Sequence, residues 1–217
     1  MGAGTGVGKT HLGVALARAL GQGGELVAAL KPIESGLEEG AVSDAAQLAE
    51  ASTFHVKHPP PYRFTRPVSP HLAAREEGVA INLQAACAWV DEATCRWVLV
   101  ETAGGLLSPL GPGLSNLDLA RALQPRAVLL VALDRLGVLH EVAACCLALR
   151  VLAPELRDVT VVLQAPAVAD LSTGTNADEL LSLGTAAPVF EIPRGDPSSP
   201  GVTAAVSALA EHCRKLS

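Results

Sequence analysis

Hydrophobic residues follow two rhythms in this chain. Short, unbroken apolar runs stand at 26–31 (LVAALK), 97–102 (WVLVET), 127–133 (AVLLVAL) and 159–164 (VTVVLQ). Runs of this length without polar alternation predict strands covered on both faces. Around them, apolar residues recur every three or four positions over 10–22, 43–52, 81–94, 138–153 and 202–217, the spacing that puts one apolar stripe on a helix. Parallel strands need a long crossover, and a helix supplies it. The alternation therefore predicts a doubly wound α/β fold, a mostly parallel sheet with helices on both faces.

One stretch breaks the rhythm. Residues 57–74 (KHPPPYRFTRPVSPHLAA) carry five prolines, which exclude both a central strand and a helix interior. The expectation is a long structured loop, functional rather than a linker because it carries two of the six aromatic residues, Tyr62 and Phe64, and joins two helical stretches.

Length adds one constraint: 217 residues suit a single domain, 1–217, large enough to bury a core without disulfides or metals. With 18% charged residues and a net charge of -6, the chain has no basic excess to hold nucleic acid, so any bound anion must be held locally. No apolar run is long enough to span a bilayer and no secretory pattern opens the sequence, which leads us to expect a soluble, cytoplasmic protein. The five cysteines, Cys87, Cys95, Cys145, Cys146 and Cys213, form no C-x-x-C pair and read as reduced; Cys145 and Cys146, in an Ala/Leu-rich helical pattern, read as small buried hydrophobes.

The chemistry concentrates at the start. In GAGTGVGKT (2–10) four glycines alternate with other residues before Lys9, Thr10 and a helical pattern. Backbone N–H groups of such a loop curl around an anion, Lys9 adds a point charge, and the following helix directs its positive end at the same place. Thr10 is the hydroxyl that phosphate loops present to Mg²⁺. Ala3 stands where the G-x-x-x-x-G-K-[ST] pattern has its first glycine, so the loop is a variant. Glu101 ends an apolar strand and precedes AGG, the position where open α/β sheets bring residues to a ligand.

Several pieces in order, GAGTGVGKT, KPIESG (31–36), SDAAQL (43–48), PYRFTRPVSPHLAA (61–74) and VETAGGLLSPL (100–110), resemble dethiobiotin synthetase. The similarity is strong over the first half and one of pattern beyond about Leu110. It implies a P-loop fold and an ATP-dependent ligase that closes a cyclic urea on 7,8-diaminononanoate with CO₂. An amine carbamate is phosphorylated and the second amine displaces the phosphate. By resemblance Lys31 and Lys9 are catalytic, Ser35 contacts the diamine, and Thr10, Asp44 and Glu101 hold Mg²⁺. The nucleotide falls to Gly6, Val7, Gly8, Lys9, Thr10, His11, Asp44, Glu101, Thr102, Ala103 and Gly104, with Gln164, Ala165, Pro193, Arg194 and Gly195 toward the adenosine. A homodimer is implied, and His71 receives no catalytic role.

Two departures stand out. Ala3-Gly4 replaces the family's Thr-Asp, which removes a carboxylate beside the reacting groups, and Gln164-Ala165 replaces an Asn-Asp type of pair. Two other readings stay open: a nucleotide-controlled ATPase switch of the partition or septum-site type, and a relative that binds nucleotide without catalysis. The family also has an apolar strand ahead of its loop, where this sequence has only Met1. A buried strand contributes about 1.5–3 kcal/mol per large apolar side chain, so the expectation is a working protein extended upstream by such a strand.

Overall fold

The computed structural model describes residues 1–38, 40–185 and 187–216; Ser217, the last residue of the predicted terminal helix, lies outside them. In chain order the elements are α1 (Lys9–Gly21), β1 (Val27–Leu30), β2 (Ile33–Ser35), α2 (Asp44–Ala51), β3 (Tyr62–Phe64), α3 (Pro70–Glu76), α4 (Leu83–Val90) and β4 (Trp97–Val100). There follow β5 (Pro109–Gly111), β6 (Leu114–Ser115), α5 (Asn116–Leu123), β7 (Val128–Leu133), α6 (Val138–Leu152), β8 (Val159–Gln164), α7 (Asn176–Ser182), β9 (Val189–Ile192) and α8 (Pro200–Leu216).

The four apolar runs all form strands, and all pair in parallel. β1 lies on β4 with Val27 opposite Trp97, and β7, β8 and β9 form a three-stranded sheet with Val128 opposite Val159 and Val161 opposite Val189. A short hairpin, β5–β6, is the antiparallel exception. β1, β7 and β8 are largely buried, as the pattern predicts, while β4 is half-buried along its whole length. Along β7 and β8, Val131 and Val162 pack with Leu12, Leu16, Val206 and Leu209 of α1 and α8. Leu130, Val161 and Leu163 turn the other way, onto Val138 and Val142 of α6 and Leu180 of α7. This is the period-2 alternation of a strand between two helical layers.

The proline-rich segment corrects the expectation of a loop. Residues 62–64 pair with β2, Ile33 opposite Tyr62 and Ser35 opposite Phe64, and Pro70 opens α3 at its first position. Proline there forfeits nothing, because the first N–H of a helix has no partner within it. The prolines flank these elements instead of interrupting them. Phe64 and Ala73 are fully buried with Ile33 and Leu110, so the segment closes a small core beside the site.

Met1–Ala3 stitch the two halves of the sheet together. The Met1 amine donates to the Leu129 carbonyl at 2.7 Å, Val131 N donates to Met1 O at 2.8 Å and Ala3 N to Val131 O at 2.8 Å, while Leu106 N reaches Gly2 O at 2.8 Å. Among the described residues this is all that stands between β4 and β7: single-residue bridges from Gly2 to Gly105 and Val131. Below them lies a cavity of about 420 Å³ lined by Leu12, Leu16, Val98, Val100, Leu123 and Leu129. Burial there pushes the Met1 amine down to about 5, with the Lys9 charge adding to the effect.

Candidate functional site

The phosphate loop begins where this stitch ends. Gly6 and Gly8 have φ of 72° and 87°, the left-handed region that favours glycine, and Gly8 is the N-cap of α1. No side chain caps that helix, so its first N–H groups remain open to an anion. Lys9 folds back, its Nζ donating to Gly4 O at 3.4 Å. Burial lowers its pKa, the Glu101 and Asp44 charges working against that and Lys31 with it. A cation that is desolvated and only weakly held is ready for a phosphate.

Gly6, Val7, Gly8, Lys9, Thr10, His11, Lys31, Ser35, Asp44, Glu101, Ala103 and Gly104 line one cavity of about 360 Å³. Twelve of the residues predicted from sequence thus meet in one place, although 98 positions separate Gly6 from Gly104. Lys31 sits one residue beyond β1 and Glu101 one beyond β4, side by side because Glu101 N donates to Leu30 O at 2.8 Å. Asp44 arrives as the first residue of α2.

Their side chains form one network. Lys31 Nζ donates to Asp44 Oδ2 and to Glu101 Oε1 at 2.7 Å, and Thr10 Oγ1 donates to the same Glu101 oxygen at 3.0 Å. Lys31 is 6% exposed and Glu101 9%. Burial opposes charge on Lys31, but Glu101 and Asp44 outweigh it and its pKa is raised. It stays an ammonium at neutral pH. Lys31 thus bridges the two carboxylates of the predicted metal set, and Thr10 joins them through Glu101.

The donors fit a hard divalent ion. A hydroxyl and two carboxylates converge, and Glu101 Oε2 is buried without a partner. Oxygen donors of this kind suit Mg²⁺, an ion that keeps waters and phosphate oxygens in its shell.

The other predicted residues surround this cavity. Gln164 ends β8 with its side chain against Gly8, its Cγ 3.1 Å from where a Cβ would stand, and its Nε2 is buried without a partner. Ala165 N donates to Ile192 O at 3.0 Å, placing Pro193 and Arg194 beside it on the surface. Gly195 O meets His11 Nε2 at 2.8 Å, which ties that loop to the start of α1. Ser35 Oγ is engaged, donating to Val68 O at 2.7 Å. Thr102 stands apart: it is buried and lines the slot between β4 and β7 but not the phosphate-loop cavity, whereas Glu101 lines both.

Sequence reasoning passed over two residues that hold the site. Asn116, fully buried, donates through Nδ2 to the carbonyls of Ala103 at 2.6 Å and Gly105 at 2.8 Å, fixing the 103–105 turn. Glu34, 4% exposed, accepts from Asp44 N at 2.7 Å and Ala45 N at 3.4 Å. Asn116 shows no sequence signal beyond a polar residue in an apolar pattern. Glu34 lies inside KPIESG, where Lys31 and Ser35 draw the attention. The five cysteines are free thiols, and Cys145 and Cys146 are half-buried rather than buried; desolvation still pushes Cys145 up to about 11, in keeping with an unreactive thiol.

Comparison with known proteins follows the same line. The family described as "AAA domain" matches residues 1–200. The chain is 38% identical to the ATP-dependent dethiobiotin synthetase BioD of Caulobacter sp. (strain K31), over 97% of this chain and 91% of that protein. It is 32% identical to the protein of the same name from Phenylobacterium zucineum (strain HLK1), over 97% and 92%. Among solved structures it resembles a ParA family ATPase from Chlorobium tepidum TLS, with TM-score 0.60, 15% identity and coverage of 98% and 96%. It also resembles the MinC:MinD cell division protein complex of Aquifex aeolicus, with TM-score 0.62, 13% identity and coverage of 98% and 93%. At such identities these two show the shared fold alone.

Proposed function

The chain belongs to the dethiobiotin synthetase family, and from that premise we propose that it carboxylates 7,8-diaminononanoate with CO₂ and closes the cyclic urea of dethiobiotin at the expense of ATP. This is ligase chemistry of biotin synthesis. Mg-ATP supplies the phosphoryl group that activates the carboxylated amine for ring closure.

The residues divide that work by charge. The loop amides from Gly6 to Thr10 and the loosely held Lys9 neutralise the phosphates, where positioning and electrostatics provide most of the rate. Thr10, Asp44 and Glu101 hold the Mg²⁺. Lys31, a permanent cation, steadies the carboxylated amine and the transferring phosphoryl group. Ser35, between Lys31 and the 66–70 loop, contacts the diamine, and Ala103, Gly104, Gln164, Ala165, Pro193, Arg194 and Gly195 complete the nucleotide's surroundings, whereas Thr102, facing the slot, takes no part. The observation that carries this reading is Lys31 held by Asp44 and Glu101 at the mouth of the phosphate loop. A phosphate loop alone serves many nucleotide hydrolases, whereas a second buried lysine suits an anionic acceptor.

We place the enzyme in the cytoplasm as a single-domain homodimer. Among the described residues no helix is long and apolar enough to cross a membrane. Leu136, Val168 and Leu171, in the loops after β7 and β8, are 76%, 83% and 104% exposed, an apolar patch of the kind a second copy covers.

ADP release from Mg-ATP and bicarbonate, with and without 7,8-diaminononanoate, tests the reaction. Diamine-dependent release is expected. In Lys31→Ala it falls by about 10²–10³, the usual effect of removing a charge-stabilising group, while ADP binding persists. Diamine-independent hydrolysis by the wild type refutes the ligase reading, and equal loss of binding and turnover in Lys31→Ala refutes the role given to that lysine.

A further inference from the structure

Asp44 has an unusual task for a site residue: it is the first residue of a helix, and helix ends fray. Its carboxylate nevertheless has to meet Lys31 and, on the reading above, a divalent ion. What holds the end of α2 therefore decides where that carboxylate stands.

Two caps share the end. Ser43 Oγ accepts from Ala46 N at 3.1 Å, the ordinary local N-cap. The first two N–H groups, of Asp44 and Ala45, go instead to Glu34 Oε1, ten residues upstream and on a strand. The Glu34 charge also faces the positive end of the helix. β2 places it there by alternation: Ser35 lines the nucleotide cavity, so Glu34 points to the opposite face, under α2. β2 itself is tied down by its pairing with β3 and by Ser35 Oγ on Val68 O. Lys31 lies three residues before Glu34 on the same tethered stretch. Glu34 thus ties the start of α2 directly to the stretch that carries Lys31.

We propose that Glu34 is a positioning residue for the metal site: by clamping the Asp44 and Ala45 amides to β2 it fixes the Asp44 carboxylate for the divalent ion. Ser43 caps the same helix without touching the Asp44 backbone and serves only its stability. The proposal rests on the assignment of Asp44 to the metal, but not on the ligase reaction.

The test compares Glu34→Ala, Glu34→Gln and Ser43→Ala with the wild type, using Mn²⁺ as the metal probe, ADP as the nucleotide and no diamine. Binding of Mn²⁺ in the presence of ADP is read by electron paramagnetic resonance, ADP affinity in EDTA by calorimetry, and amide hydrogen exchange by NMR. Glu34→Ala is expected to speed exchange at Asp44 and Ala45 and to weaken Mn²⁺ binding by about 10–100-fold, the range for groups that orient a metal ligand. ADP affinity in EDTA should stay within about twofold, a change too small to mark a lost contact. Glu34→Gln keeps an acceptor oxygen and should recover part of the Mn²⁺ affinity. Ser43→Ala should speed exchange at Ala46 and leave Mn²⁺ binding unchanged.

Equal weakening by Glu34→Ala and Ser43→Ala would reduce Glu34 to a helix cap and overturn the proposal. So would unchanged Mn²⁺ binding in Glu34→Ala, or an equal loss of ADP affinity in EDTA. If Glu34→Ala does not fold, Glu34→Gln against Ser43→Ala decides by the same comparison. A failure of diamine-dependent turnover in the wild type leaves every one of these readouts standing.

Discussion

Gly8→Ala probes the phosphate loop where its geometry is tightest, and Gly6→Ala is its natural control. Both glycines have positive φ, and an L-residue pays about 1–2 kcal/mol to adopt that conformation. Around Gly6 an added Cβ meets nothing within 4 Å, whereas at Gly8 it would stand 3.1 Å from Gln164 Cγ and 3.2 Å from its Cδ. Gln164 is 4% exposed and is anchored in β8, so it has little room to retreat. Overpacking of this kind adds about 1–3 kcal/mol. Gly6→Ala should therefore destabilise by about 1–2 kcal/mol and Gly8→Ala by about 2–5 kcal/mol, the sum of strain and crowding. At about 2–4 °C per kcal/mol for a chain of this size, the Tm of Gly8→Ala should fall visibly further.

The double variant Gly8→Ala/Gln164→Ala separates the two terms. Removing the Gln164 side chain relieves the crowding but not the backbone strain, so a thermal-melt cycle should show a favourable coupling of about 1–3 kcal/mol. ADP affinity should follow the same order, because Gly8 sets the direction of the first N–H groups of α1. Equal Tm values for Gly6→Ala and Gly8→Ala, or a coupling near zero, would refute the claim that β8 buttresses the loop through Gln164.

Two further expectations follow from buried groups and empty space. Burial lowers the pKa of Lys9 and a phosphate beside it raises the value again, so nucleotide binding should take up a proton in the alkaline window below Lys9's ordinary pKa of 10.5. In the free protein the sign is that of a depressed lysine: between its folded and unfolded values the unfolded chain holds more protons, so the Lys9 contribution to stability rises with pH. Lys31 acts oppositely, its contribution being complete below 10.5 and lost as pH climbs through its raised value. Calorimetry of ADP binding in buffers of different ionisation enthalpy measures the uptake, and no buffer dependence in that window would contradict it. The slot between β4 and β7 should accept a strand: five β-branched residues fused ahead of Met1 would point alternately at Leu12 and Leu16 and at Val90 and Leu123. Each buried side chain contributes about 1.5–3 kcal/mol against about 1–2 kcal/mol of backbone ordering per residue, and the Tm should rise by several degrees, about 2–4 °C per net kcal/mol. A matching extension with aspartate at the positions facing Leu12 and Leu16 should not raise it, and equal Tm values would show that the slot is not a strand site.

Local pattern was enough for the parts of this protein that depend on local physics. The runs at 26–31, 97–102, 127–133 and 159–164 became β1, β4, β7 and β8, because an unbroken apolar run has few other ways to bury both its faces. The glycine spacing and Lys9 announced the phosphate loop for an equally local reason, the freedom of glycine to turn its amides inward. Glu101 was legible from its place at the end of an apolar strand, the resemblance supplied Lys31 and Asp44, and the fold brought Lys31 and Glu101 together because β1 and β4 end side by side, with Asp44 delivered by the start of α2.

What depended on distance was not legible. Pairing partners turned Tyr62–Phe64 into a strand and Pro70–Glu76 into a helix inside a segment whose composition spoke only of loop, since a proline outside a ladder or at a helix's first position breaks no bond. The burial of Glu34 beneath α2 and of Asn116 beneath the 103–105 turn depends on where an unlike element docks, which no window of neighbouring residues contains. The same holds for Lys31: a lysine after a strand is ordinarily exposed, and its standing as a buried, permanent cation comes from two carboxylates 13 and 70 positions away that only the folded chain brings to it.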